Sequence, residues 1–367
     1  MIKMDNDLSL NIPEDTFHKM IKIKNEMGYE DKNWNEWFIH LINNLKKDES
    51  EKEIIERVFK NGTIRFFFDE WVKNLALNLE NIWKEKSIGE LIPKNIETKS
   101  SAIIIGRGPS IERHNHLKLL AESDYDGTII CADGAMPKVL KSGVTPDRFK
   151  KFYCLTVDAQ EWQQDFFLEP ICKKFGKQIR CILSTTASPK VYYAAKAAGM
   201  NVYWTHTLID YNRDKTSFNK IAGLMTRVKN HKNGIPAIQT GANVGTAAWI
   251  VAWSIFKCPT VGLIGIDHGY DADTSWDKIE SHSAPITKDM TEDKKIFDRA
   301  YPTIYNPFFN SYCKQDPPFV YYSNALKEFA KRTKNKVKTI NATEGGAIFG
   351  DGIECMKFSD FLEKFNK

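Results

Sequence analysis

The chain has 367 residues, 42% of them hydrophobic and 27% charged, which excludes a disordered polymer and supplies material for a large core. Its longest apolar run, residues 246–256, is too short to cross a bilayer, and the start MIKMDNDLSL lacks a signal peptide's apolar core, so a cytoplasmic protein is expected. A net charge of +5, from 52 basic and 47 acidic residues spread along the chain, gives weak support for anionic ligands and marks no dedicated nucleic-acid surface.

Residues 1–48 read as strand, helix, helix. Leu8, Leu10 and Ile12 alternate as in a half-buried strand. Phe17, Met20 and Ile21 recur at helical spacing, and Gly28 ends that helix. A second helix is predicted to carry Trp34, Trp37, Phe38, Leu41, Ile42 and Leu45. This order resembles a ribbon-helix-helix module, which pairs strands between two chains and in many cases binds DNA. The polar face of the strand offers Ser9 and Asn11 and no basic residue, so docking or homo-oligomerisation is favoured over DNA binding. Residues 49–98 read as a helical segment with Phe66, Phe67, Phe68, Trp71, Leu75, Leu79 and Trp83 on one face. The polar stretch 90–101 with its proline makes the best boundary.

Residues 99–367 predict an α/β domain, a Rossmann-like mostly parallel sheet with crossover helices. Runs such as AIIIG, TIICAD, FYCLTVD, IRCILS and TVGLIGID are apolar on every side, as strands buried on both faces are. The helix at 243–256 is apolar nearly all round and should be central. Residues 268–320 show no clear periodicity and read as an irregular functional segment, of the kind that forms lids. A helix, a strand near 337–340, a TEGG loop and an amphipathic helix close the chain. Seven cysteines without a C-x-x-C pair argue against a zinc site or disulfide frame; Cys131, Cys154 and Cys181 read as core residues.

The chemistry-bearing residues gather at strand ends. In IIIGRGPSIERH, Gly106 and Gly108 permit a sharp turn, Pro109 suits a first helical turn, and Ser110 adds a hydroxyl. A helix starting there would offer free amides to a phosphate. The spacing is not G-x-G-x-x-G, so NAD is not implied. A second loop places Gly241, Asn243 and Gly245 before the central helix. Three strands end in Asp133, Asp158 and Asp267, which in a parallel sheet would share one crevice and hold magnesium or ribose hydroxyls. The competing reading is that each aspartate caps the next helix. His268 and His282 are candidate bases for a substrate hydroxyl, with ordinary surface positions as the alternative. His114 and His116 follow the turn, and Glu344, Gly345 and Gly346 close over the same ligand or form a plain turn.

Four stretches, SAIIIGRGPSIERH, CADGAMPKVLKSGVTPD, LTVDAQ and TGANVGTAAWIVAWSIFKCPTVGLIGIDHGY, resemble the MptE-like superfamily over roughly residues 75–350. That group includes archaeal 6-hydroxymethyl-dihydropterin diphosphokinases and motility accessory factor proteins akin to sialyltransferases. The resemblance implies a nucleotide site lined by Gly106, Gly108, Pro109, Ser110, Asp133, Gly134, Asp158, Gly241 and Asp267. Asn243, Glu344 and Gly345 are added to it from the loops. Asp133 and Asp158 would hold any metal, and His282, His268 and Asp267 would serve catalysis. The diphosphokinase pattern reads T-D-L-D-G where this chain has L-T-V-D-A, so Thr156 stands in place of one carboxylate. That departure and the TEGG loop favour a glycosyltransferase using a nucleotide-activated sugar and an unnamed acceptor. A magnesium-dependent diphosphokinase acting on a hydroxymethyl-pterin, and a non-enzymatic nucleotide-sensing or DNA-associated dimer, are the alternatives.

Overall fold

Side chains that alternate between two apolar layers need cover on both faces, and the computed structural model supplies it. It describes residues 2–3, 9–10, 14–26, 34, 51–95, 100–209, 212–213, 216–227, 234–287 and 301–365. The chain divides into two units, Met1–Arg57 and Val58–Lys367.

In the first unit, Ile2–Lys3 pairs antiparallel with Ser9–Leu10 within the chain, and Glu14–Glu26 is a helix. Phe17 stacks near Trp34 with ring centroids 5.5 Å apart, and Lys24 lies over the same indole at 5.4 Å. The rest of the expected second helix, Trp37 to Leu45, lies outside the described residues.

In the second unit the strands are β1 (Lys86–Ser87), β2 (Ser101–Ile105), β3 (Thr128–Ala132), β4 (Phe152–Thr156), β5 (Arg180–Ser184) and β6 (Asn201–Thr207). Then come β7 (Ala237–Ile238), β8 (Thr260–Ile264), β9 (Tyr270–Asp271), β10 (Thr303–Asn306), β11 (Ser311–Lys314), β12 (Lys338–Asn341) and β13 (Ile353–Cys355). One ten-stranded sheet runs β7-β6-β5-β4-β3-β2-β8-β12-β13, with β1 also pairing β6, at Tyr203 and Trp204. Its described pairings are all parallel. The expected parallel α/β sheet is therefore present.

All five residues of β2 and of β3 are buried. Ile103 and Ile105 enter one core with Leu120, Val139, Val191 and Phe361, while Ala102 and Ile104 enter the other with Trp249, Leu326 and Ala330. Each such large apolar side chain contributes roughly 1.5–3 kcal/mol on burial. The second core is built by the predicted central helix, Val244–Ile250 with a π-helical continuation Val251–Ile255, and by Pro317–Thr333. Cys131, Cys154 and Cys181 are fully buried in register across β3, β4 and β5.

One expectation needs correction. The stretch 268–320 is not irregular throughout: β9, β10 and β11 form a three-stranded antiparallel sheet and Trp276–Thr287 is a helix. Strands this short leave too few alternations to be legible as a period. The helix Glu51–Lys84 leaves part of its aromatic face exposed, Phe66 at 56% and Trp83 at 41%. Its inward seam instead mixes Leu75 and Ile82 with two buried asparagines, Asn74 and Asn78. Among the described residues no helix is long and apolar enough to cross a membrane.

Candidate functional site at the carboxyl edge of the sheet

From β2 the chain proceeds outward through β3 to β7, then crosses back to place β8, β12 and β13 on the other side. The strand order thus reverses between β2 and β8, and ligands of open α/β sheets sit beyond the carboxyl ends at such a point. Ile264, Ile105 and Cys131 are register partners in turn, as are Ala132 and Leu155. Asp267, the G-R-G-P-S turn, Asp133 and Asp158 consequently leave the sheet along one edge.

The turn after β2 is sewn to the end of β8. Gly106 N–H donates to Ile264 O at 2.9 Å and Gly108 N–H to Gly265 O at 2.8 Å. Ser110, fully buried, donates its hydroxyl to Asp267 Oδ2 at 2.8 Å. A Cβ on Gly108 would land on the Asp267 carboxylate, so that position requires glycine for close approach. Pro109, φ −63°, leads into the short helix Ser110–Arg113. Burial pushes Asp267's carboxyl up to about 6, against the pull of Ser110's hydrogen bond and Arg113's charge. The turn's glycines thus bring two strand ends together, and their amides are committed in doing so.

One strand over, Asp133 is buried and accepts from Gly134 N–H at 2.7 Å and from the Thr156 hydroxyl. Burial raises its carboxyl, opposed by these bonds and by Arg107's charge. Thr156, which replaces a carboxylate of the diphosphokinase pattern, is therefore the donor that holds Asp133. Asp158 accepts from Gln163 Nε2 at 3.0 Å. Asp158 is exposed to solvent. The protein packed around it, and then Asp133's charge, raise its carboxyl above the usual range. Gln163 is 3% exposed and its Oε1 has no hydrogen-bond partner.

Helix Pro317–Thr333 brings Tyr322 toward Asp158; burial and the charges of Asp158 and Asp316 raise its hydroxyl. Tyr322 also meets His268 edge-on at 6.0 Å, and Phe319 stacks on that ring at 6.3 Å. His268 takes a left-handed backbone, φ 45°, and is 7% exposed, with Nδ1 unpartnered. Burial, then Lys327's charge, hold its imidazole down at about 3, so it is neutral. His282 falls in the helix Trp276–Thr287, but its side chain lies outside the described residues.

The second loop reaches the same edge: a Cβ on Gly245 would lie 2.7 Å from Cδ1 of Ile266, and one on Gly241 3.2 Å from Cβ of Ala325. Asn243 caps the central helix, accepting from Thr246 N–H at 2.8 Å. The TEGG loop packs on Asp267, where Ala347 N–H donates to Asp267 O at 2.9 Å. Glu344 accepts from Phe358 N–H at 3.1 Å and lies 3.3 Å from His116 Nε2, so its carboxylate caps a helix and orients a buried ring. Gly345 O accepts from Thr343 at 2.8 Å. His114 stacks on His116, with centroids 5.4 Å apart.

Sequence reasoning misses Arg107, Gln163, Tyr322, Asn74 and Asn78. The two asparagines brace the edge from below: Asn74 Nδ2 donates to Ala159 O at 3.0 Å and Thr186 O at 3.1 Å, and Asn78 Nδ2 to Ala187 O at 2.8 Å. Their i, i+4 spacing beside Trp71 and Leu75 is the signal that could have found them. Arg107 stands inside the G-R-G-P-S turn itself. Nothing in the local sequence singles out Gln163 or Tyr322.

The donor set fits a protein-held magnesium poorly. Both Asp133 oxygens already accept hydrogen bonds, and among the described residues no group of three His, Cys, Asp or Glu side chains is placed for a metal ion.

Fold and edge together define a doubly wound parallel α/β protein with polar side chains gathered at its switch point. Residues 73–273 match the family described as 6-hydroxymethylpterin diphosphokinase MptE-like, and the chain belongs to this MptE-like family. Among solved structures, it is similar to the MAf glycosyltransferase from Magnetospirillum magneticum AMB-1. The TM-score is 0.54 at 14% identity, over 81% of this chain and 40% of that one. The chain thus spans about two fifths of that protein's length, and at this identity the likeness is one of fold. No curated protein matches the sequence.

Proposed function

We propose that this chain is a nucleotide-dependent transferase that moves a glycosyl group from a nucleotide-activated sugar to an acceptor hydroxyl. The observation that carries the reading is the convergence of Asp133 and Asp158 with His268 and Tyr322 at the switch-point edge of an MptE-like fold. In such a transfer the acceptor oxygen bonds the anomeric carbon, the sugar–phosphate bond breaks, and the nucleotide leaves with the electron pair. The acceptor's proton goes to a base. Asp158, solvent-facing with a raised carboxyl, suits that role near neutral pH. His268 is a weak base in this setting, and its buried ring packs between Tyr322 and Phe319. Asp267 and Ser110 hold the turn in shape, and Gly241, Asn243 and Gly345 position the surrounding loops.

The family description favours a second reading, diphosphate transfer from ATP to a hydroxymethyl-pterin. The hydrogen-bonded state of Asp133, with Thr156 where a second carboxylate would stand, weighs against it. A thermal-shift panel of ATP, GTP, CMP-sugars and UDP-sugars, with and without magnesium, separates the two. A ligand at 100 times its Kd stabilises by about 2.7 kcal/mol. Stabilisation by a CMP- or UDP-sugar without magnesium is the expected result; magnesium-dependent stabilisation by ATP alone would replace the glycosyl reading with the diphosphokinase one.

A further inference from the structure

A phosphate brought to this edge needs positive charge or free amides. The G-R-G-P-S turn withholds its amides, because Gly106 and Gly108 donate theirs to Ile264 O and Gly265 O. The helix that follows, Ser110–Arg113, is a single turn and its Ser110 hydroxyl is committed to Asp267. What the turn does present is Arg107. Its side chain is exposed and lies with its guanidinium carbon 5.1 Å over the ring of Phe166. Among the described residues no hydrogen bond or ion pair holds that guanidinium. Gly134, the residue after Asp133, leaves the room it occupies: a Cβ there would sit 2.5 Å from Arg107 Cδ and 2.9 Å from Nη1. Asp133, an acid on which Arg107's charge acts, has both oxygens engaged by Thr156 and Gly134. Arg113, the other arginine of this turn and helix, is already paired with Asp271.

We infer that Arg107, held over the ring of Phe166 beside Gly134, is the residue that grips the phosphate of the ligand at this edge. The inference rests on the nucleotide reading above and names its anion-binding residue. An aromatic bed fixes the plane of the fork, and a planar fork meets two phosphate oxygens at once, which an ammonium cannot do. Contact with the ring and with Gly134 also means that less side-chain freedom is lost when the anion arrives.

Isothermal titration of the full chain with inorganic pyrophosphate, nucleoside diphosphates and the matching nucleosides, without magnesium, tests it in Arg107→Gln, Arg107→Lys and Phe166→Leu. Expected is at least a tenfold weakening of pyrophosphate and nucleotide binding in Arg107→Gln, with nucleoside binding unchanged. Arg107→Lys recovers only part of the loss, and Phe166→Leu weakens phosphate binding less than Arg107→Gln does. Thermal unfolding at the wild-type temperature certifies the fold of each variant. Unchanged nucleotide binding in Arg107→Gln overturns the inference and leaves the proposed function standing. Pyrophosphate binding that is lost in Arg107→Gln, in a chain whose wild type takes no nucleotide, upholds the inference and overturns that function. A wild type that binds no phosphate compound, or an Arg107→Gln that loses nucleosides equally, also overturns the inference.

Discussion

Where β2 meets β8, the amides of Gly106 and Gly108 and the hydroxyl of Ser110 are all bonded to the end of the neighbouring strand. In the same turn Arg107, and two strands over Asp158, keep polar groups open to solvent. The two places look alike in sequence, each a strand ending in small and charged residues. They differ in how buried polar groups find partners: a closed seam must satisfy every donor internally, while a binding floor leaves donors for its ligand. Substitution should therefore cost stability on the first side and binding on the second.

The sharpest way to break this contrast is Gly108→Ala. Its methyl has no space beside Asp267, so the seam must part, at a cost on the order of 3 kcal/mol. Chemical denaturation measures it, and a variant as stable as wild type would mean the seam is soft. Next comes Asn78→Ala in the bracing helix, which strips a fully buried donor from Thr185 O and Ala187 O. A loss of about 1–3 kcal/mol is expected from leaving such carbonyls unpaired.

A pH series tests the seam without disturbing its packing. Asp267's carboxyl is raised to about 6, so the folded chain holds that proton more tightly than the unfolded one. Its stabilising contribution is complete below the ordinary carboxylate pKa and is lost as pH rises through about 6. Unfolding temperature followed from pH 4 to pH 7 should fall along that window in wild type, and Asp267→Asn should remove that component; parallel curves for the two proteins would contradict it. The smallest effect on stability belongs to Asp158→Asn, within about 0.5 kcal/mol for an open side chain. That same change should abolish transfer, as a turnover assay with the donor identified by thermal shift would reveal, and full activity would move the base elsewhere.

Much of this edge is legible in the amino-acid sequence. Asp133, Asp158 and Asp267 each end an apolar run, and parallel sheets place such ends together. The glycines of G-R-G-P-S are legible as a turn, but not that the turn's amides face β8, because β8 lies far along the chain and only its pairing with β2 assigns the acceptors. Glu344 shows a second limit: a glutamate before a double glycine suggests a ligand loop, yet its partners are Phe358 N–H, at the start of the next helix, and His116, 228 residues away in the chain. Asn74 and Asn78 read as a polar stripe on a helix, since local periodicity cannot reveal that loop carbonyls wait beneath it.

The sequence by itself determined the parallel α/β domain, the direction of its strands and the edge where its acids emerge. Those follow from apolar runs too hydrophobic for any exposed face and from the chirality that governs crossover connections. Only the tertiary structure decided which polar groups are consumed and which are left over. Hydrogen bonds across the seam join residues far apart in the chain, so whether Gly108 offers its amide or Arg107 its guanidinium depends on neighbours that folding alone supplies.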